Sequence, residues 1–111
     1  MSAPDELIHQ SLRLRIMAAL HAARPGEPID FPRLKTVVGA TDGNLGSHLA
    51  TLEAAGYVTV AKDFLGKKPR TRVAIAPKGA AAFRAHTSYL RDLIDGAEPA
   101  DPDQASGDQR A

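Results

Sequence analysis

The sequence contains no cysteine, which excludes disulfides, thiolate zinc sites, CxxC redox pairs and cysteine nucleophiles together, and fits a reducing compartment. It also lacks any apolar run near the roughly 18 residues of a membrane span. Its start carries Asp5 and Glu6 where an export signal needs bases. A soluble, cytoplasmic chain with no membrane partner is the expectation. The GxSxG elbow, HExxH and the P-loop are missing as well. The histidines His9, His21, His48 and His86 and the scattered acids form no catalytic arrangement, so neither an enzyme nor a cofactor is expected.

What is present is 111 residues, 43% hydrophobic and 24% charged, enough for one core and too little for two. The net charge of +1 conceals a division. From Asp95 onward five acids face one base, leaving −4 there and +5 on the remainder. Residues 1–95 read as one basic domain and 96–111, rich in Pro, Asp, Gln, Ser and Gly, as an acidic disordered tail. Within the domain, Lys62, Lys67, Lys68, Arg70, Arg72 and Lys78 oppose only Asp63 between Ala61 and Lys78. Such a concentration attracts phosphates, although a solvated loop kept soluble by its charge explains it equally well.

Periodicity divides the domain into elements. A first helix is expected over Glu6–Ala23, opened by Pro4 and Asp5 and closed by Arg24, Pro25 and Gly26. Ile8, Leu12, Ile16, Leu20 and Ala23 form one stripe, and Leu7, Leu14 and Ala18 a second on nearly the opposite side. Two stripes imply two packing partners, either two elements of one domain or a second copy of the chain. A minimal strand at Ile29–Phe31 precedes a short helix, Pro32 to about Val38, ended by Gly39. Thr41 then caps a helix reaching Ala55, with Leu45, Leu49 and Leu52 inward and Gly56 as its stop. Tyr57–Lys62 and Thr71–Ala76 alternate as paired strands, with Asp63–Arg70 as the turn. Pro77 opens a last helix to about Ile94, with Gly79, Phe83, His86, Leu90, Leu93 and Ile94 near one face. The fold class is mainly helical with a small β-hairpin wing.

The second and third helices are separated by only Gly39 and Ala40, the spacing of a helix-turn-helix whose second helix enters a major groove by its N-terminal residues. Opposite the leucines that helix shows Gly43, Asn44, Ser47, Ala50 and Thr51, with His48 toward one edge. Asn pairs with an adenine edge, and Ser or Thr with base or phosphate groups. Thr41 and Asp42 stand at its leading end, where capping ranks above base contact for Thr41. Lys62, Lys67, Lys68, Arg70 and Arg72 follow at once, placed to bind backbone phosphates while the helix specifies sequence.

The segments ATDGNLGSHLATLEAAGYVTV (Ala40–Val60) and FLGKKPRTRVAIAPKGAAAF (Phe64–Phe83), taken with the first helix, resemble the winged helix-turn-helix transcriptional regulators. The likeness is to the MarR and ArsR-like groups and the small single-domain members, and it spans roughly Leu7–Ile94. It implies a recognition helix at Thr41–Ala55, a wing at Asp63–Arg72, and dimerisation through the first and last helices. Ala76 stands where such proteins often place a capping Thr. The expected partners are double-stranded DNA with a palindromic operator and a second copy of the chain, joined through Leu7, Leu14 and Ala18 against Leu90, Leu93 and Ile94, with His86 on the same face. Nothing names a small-molecule effector. A metal-sensing role would have to use His86 with Asp92 nearby, and a lone histidine on an apolar face is more often packed than ligating. A winged helix used only for protein binding would have no need of the +5 body.

Overall fold

In a computed structural model, residues 4–24 and 26–96 are described. The elements are α1 (Ser11–Ala22), β1 (Ile29–Asp30), α2 (Phe31–Val38), α3 (Asp42–Ala54), β2 (Val58–Leu65), β3 (Lys68–Ile75) and α4 (Pro77–Ile94). The antiparallel sheet has the order β1-β3-β2. The order of elements is the expected one, but two boundaries differ. The acidic stretch expected to be disordered lies, beyond Gly96, outside the described residues.

The first difference is at the start of α1, five residues later than the periodicity suggested. Asp5 does open a helical turn: its Oδ1 accepts from the Leu7 and Ile8 amides at 2.9 and 3.1 Å. The chain then pauses at His9 and restarts with Gln10, whose side chain accepts from the Arg13 amide at 3.0 Å. Ile8 still falls in phase with Leu12, Ile16 and Leu20, and all four are buried. The stripe therefore survives a break in the helix that carries it.

The second difference is the hairpin, which is longer than expected because its turn holds only Gly66 and Lys67. Gly66 takes the positive φ of 65° that a two-residue hairpin needs at its first central position. Pro69, read from sequence as part of the turn, lies in β3 opposite Phe64. Counting from the closing pair Leu65–Lys68, that is a non-hydrogen-bonded pair, so the missing N–H would have pointed away from β2. β1 pairs only with Arg72 and Val73, leaving the outer ribbon without a third strand to object.

Leu34 and Val38 of α2, Leu45, Leu49 and Leu52 of α3, and Val58 and Val73 of the sheet join Ile8, Leu12, Ile16, Met17 and Leu20 in one core. Each fully buried aliphatic side chain contributes roughly 1.5–3 kcal/mol. α4 gives that core little, since its only buried residues are Gly79 and His86. Its N-terminus has no side-chain cap, Ala76 standing there with Pro77 behind it. Its far end leaves Leu93 and Ile94 47% and 83% exposed. No helix among the described residues is long and apolar enough to cross a membrane.

Candidate nucleic-acid interface

The turn between α2 and α3 is set by local chemistry. Gly39 ends α2 at φ 70°, and its amide and that of Ala40 return to the Lys35 carbonyl at 3.0 and 3.1 Å, so Gly39 supplies the left-handed residue that closes a helix. Thr41 turns the chain into α3, its hydroxyl accepting from the Asn44 amide at 3.1 Å. Lys35 bridges to Asp42 at 2.8 Å across the turn, an exposed pair worth at most about 1 kcal/mol. Two arginines of α1 then hold the unit from behind. Arg15 Nε donates to the Val38 carbonyl at 3.1 Å, and Arg13 Nε donates to His48 Nδ1 at 3.0 Å.

With its three leucines buried, α3 shows Gly43, Asn44, Ser47, Ala50 and Thr51 to solvent. The Thr51 hydroxyl donates to the Ser47 carbonyl at 3.3 Å, leaving its lone pairs free. Among the described residues the Asn44 and Ser47 side chains make no internal hydrogen bond. Of the other residues singled out on this helix, Thr41 caps it, Asp42 is paired with Lys35, and His48 is half-buried and occupied by Arg13.

The wing is not a uniform row of cations. Asp63 lies directly across from Arg70 and binds it with both oxygens, Oδ1 to Nε at 2.8 Å and Oδ2 to Nη2 at 3.0 Å. Arg72 adds a third bond to Oδ2 at 3.1 Å. The Arg70 hydrogen bond holds the Asp63 carboxyl below the usual carboxylate range, and Asp63 in turn raises Arg70. Lys62, Lys67 and Lys68 are exposed and make no ion pair among the described residues. The sequence alone did not show this division, because the Asp63–Arg70 pair exists only once the strand register is known.

α3 and the wing border one open cleft of about 320 Å³, with Gly46, Ala50 and Glu53 on one side and Lys62 and Thr71 on the other. A second cleft, about 370 Å³, lies between Asp30, Phe31 and Pro32 and the wing residues Leu65, Lys68 and Arg70. α3 and the cationic ribbon are thus neighbours, meeting along Gly46, Ala50 and Glu53, while Asn44, Ser47 and Thr51 lie outside that cleft.

This arrangement decides the family. The winged helix DNA-binding domain family matches residues 12–94. The chain belongs to it. A transcriptional regulator homologue from Pyrococcus horikoshii is 33% identical, with a TM-score of 0.74 over 83% of this chain and 88% of that one. An uncharacterised protein from Methanocaldococcus jannaschii is 33% identical over 80% of this chain and 90% of its own length. A MarR-family transcriptional regulator from Silicibacter pomeroyi, 18% identical, shares the fold at a TM-score of 0.64, over 90% of this chain and 64% of that one. NadR, solved in complex with 4-hydroxyphenylacetate, shares it equally at 18% identity and 0.64, over 81% and 64% of the two chains. In this winged helix, α3 is the second helix of the helix-turn-helix and β2–β3 the wing.

The residues expected at a dimer interface are divided by the structure. Leu7 and Leu14 are half-buried, with Leu14 packed on the core, and Ala18 is exposed. Leu90 is half-buried, and Leu93 and Ile94 are exposed. His86 differs: it is 0% exposed within the single chain, beneath the segment before α1. Its Nδ1 accepts from the Asp5 amide at 3.0 Å, and the His9 ring meets it edge-on at 5.7 Å. Asp5 also accepts from the Tyr57 hydroxyl at 2.8 Å. Burial first, then that bond, pushes the Tyr57 pKa up to about 12. Asp5, Tyr57 and His86 therefore tie the chain start, the wing root and α4 together, a junction no local pattern signals. Among the described residues no group of three or more His, Asp or Glu could hold a metal ion.

Proposed function

We propose that the protein is a sequence-specific, double-stranded DNA-binding transcriptional regulator acting as a homodimer. One observation carries the reading: Asn44, Ser47 and Thr51 face solvent on the helix that borders the wing's cleft. α3 enters the major groove, where Asn44 and Ser47 meet base edges. Thr41 and Asp42 order its leading end and, with Gly43, lie near the backbone, while His48 orients the helix through Arg13. Lys62, Lys67 and Lys68 engage phosphates directly, and Arg70 and Arg72 reach them only by sharing or leaving Asp63.

The second copy packs across a two-fold axis on Leu90, Leu93 and Ile94 of α4 and on Leu7, Leu14 and Ala18, with His86 supporting that face from within. Exposure of Leu93 and Ile94 at the end of a long helix supports this, and light scattering at micromolar concentration tests it: a monomer mass contradicts it. Two recognition helices related in this way read a palindromic operator with half-sites about 10 base pairs apart. Selection of bound fragments from random duplexes at physiological salt tests site and symmetry together, and enrichment of no common sequence contradicts the reading.

Effector control is a second reading, favoured by one feature. An open cleft of about 470 Å³, lined by His21, Ile75, Pro77, Ala80 and Arg84, falls in the size range of small-molecule sites and offers a cation beside apolar walls, suited to a small organic acid. A thermal-shift screen of aromatic carboxylates against wild type and Arg84→Ala checks it.

A further inference from the structure

The wing carries two side chains that neither the core nor the phosphate-binding reading uses. Phe64 and Leu65 are 67% and 64% exposed, although a strand so rich in polar residues could have ended in lysine or threonine. Their cross-strand partners are Pro69 and Lys68. Successive residues of a strand point to opposite faces, so Phe64 and Pro69 make one side of the ribbon's end apolar while Leu65 occupies the other. Lys62, Lys67 and Lys68, all exposed, surround the pair. The end of the ribbon is therefore greasy on both flanks and cationic at its tip.

We propose that Phe64 and Leu65 form an apolar wedge that enters the minor groove of the bound duplex and forces it open. The inference rests on the DNA-binding reading above and adds what the wing does to the DNA. The groove suits such a tip: its walls are deoxyribose, apolar in character, and its rims are phosphates for Lys62, Lys67 and Lys68. It is also too narrow. An undisturbed minor groove is about 6 Å wide, whereas two strands alone lie about 4.8 Å apart before side chains are added. The tip seats only by widening the groove and bending the duplex, and contact of Phe64 and Leu65 with the sugars and unstacked base edges offsets that deformation. Flexible pyrimidine–purine steps under the wing resist least and are preferred there without any base contact from α3. Charge argues against a second wing as the occupant, because two tips would bring Lys67 and Lys68 against their own copies.

The experiment compares wild type with a Phe64→Thr/Leu65→Thr double variant, which keeps strand propensity and every lysine. Fluorescence energy transfer between the ends of a selected duplex reads the bend, and titration at several salt concentrations reads affinity. The expected result is a wild-type bend of about 20–90° that the variant loses. Affinity falls about tenfold or more, the worth of one buried apolar side chain. The salt slope flattens because the unseated tip withdraws its lysines from the phosphates, and thermal midpoints agree because both side chains are largely exposed. A variant that bends and binds the duplex like wild type overturns the wedge and leaves DNA binding standing. Absence of duplex binding by wild type overturns both. Wild-type binding to phosphatidylglycerol vesicles that the variant loses, with duplex bending unaffected, reassigns the pair to a lipid surface and also overturns the wedge.

Discussion

Replacing Gly79 by alanine sets two effects of opposite sign against each other. Gly79 lies in the first turns of α4, and in a helix alanine is favoured over glycine by about 1 kcal/mol, so propensity alone makes the change stabilising. Packing opposes it. A Cβ there would sit 2.1 Å from the Tyr57 carbonyl oxygen and 2.8 and 2.9 Å from its C and Cα. All three are backbone atoms, and that carbonyl already accepts from the Ala76 amide at 2.9 Å. Ordinary carbon–oxygen approaches are roughly 3.3–3.6 Å, so helix and strand must part by more than about 1 Å. Overpacking of this kind costs about 1–3 kcal/mol or more, and with no flexible side chain to yield, the upper part of that range applies. The net expectation is a loss of about 2 kcal/mol after the propensity gain. Thermal melting reads it as a lower midpoint, about 4–8 °C for each kcal/mol in a domain of this size. Gly43, with nothing within 4 Å of its Cβ position and no positive φ, provides the control: Gly43→Ala raises the midpoint. An unchanged or higher midpoint for Gly79→Ala would refute the close approach of α4 to the wing root.

Asp63→Asn weakens its hold on Arg70 and Arg72; binding to random duplexes tightens and the salt slope steepens by up to about two units, measured by anisotropy at three salt concentrations. Lys67→Ala/Lys68→Ala flattens the slope by a similar amount and weakens all sequences alike, whereas Asn44→Ala relaxes preference at one base pair by about 1–3 kcal/mol. Burial first, then the neighbouring His9, lowers the His86 pKa from 6.5 against the opposing pull of Asp5. The unfolded chain therefore binds more protons in the window between the lowered value and 6.5. Stability is complete above pH 6.5 and declines as pH falls through the lowered value. Urea midpoints between pH 8 and 5 check this, and in His86→Gln that component of the decline disappears.

The helix-turn-helix was legible because its determinants are local: Gly39 for the left-handed stop, Thr41 for the cap, and leucines at 45, 49 and 52 for the buried side. The start of α1 was misread because Asp5 does begin a turn and Ile8 keeps helical phase, so nothing in the pattern marks the pause at His9. The wing's strands were read short because proline and a run of bases resemble a turn, and only pairing reveals that Pro69 needs no donor. Arg70 and Arg72 read as free cations for the same reason. Their restraint comes from Asp63 on the opposite strand, a register effect that composition does not contain. His86 was read as part of the dimer-facing stripe of α4, but the structure buries it within the single chain, where its partner is the amide of Asp5, 81 positions away, which no periodicity connects. Phe64 and Leu65 fell inside the expected Asp63–Arg70 turn, and only the strand pairing puts them at the exposed end of β2.

The most direct test of the central claim, that the outer side of α3 and the wing together form the DNA-binding surface, is a titration of labelled protein with duplex DNA followed by amide chemical shifts. The account predicts the largest changes at Asn44, Ser47 and Thr51 and from Lys62 through Lys68, saturating together. Shifts confined to the end of α4 or to the cleft around His21 and Arg84, with α3 and the wing unmoved, would contradict it.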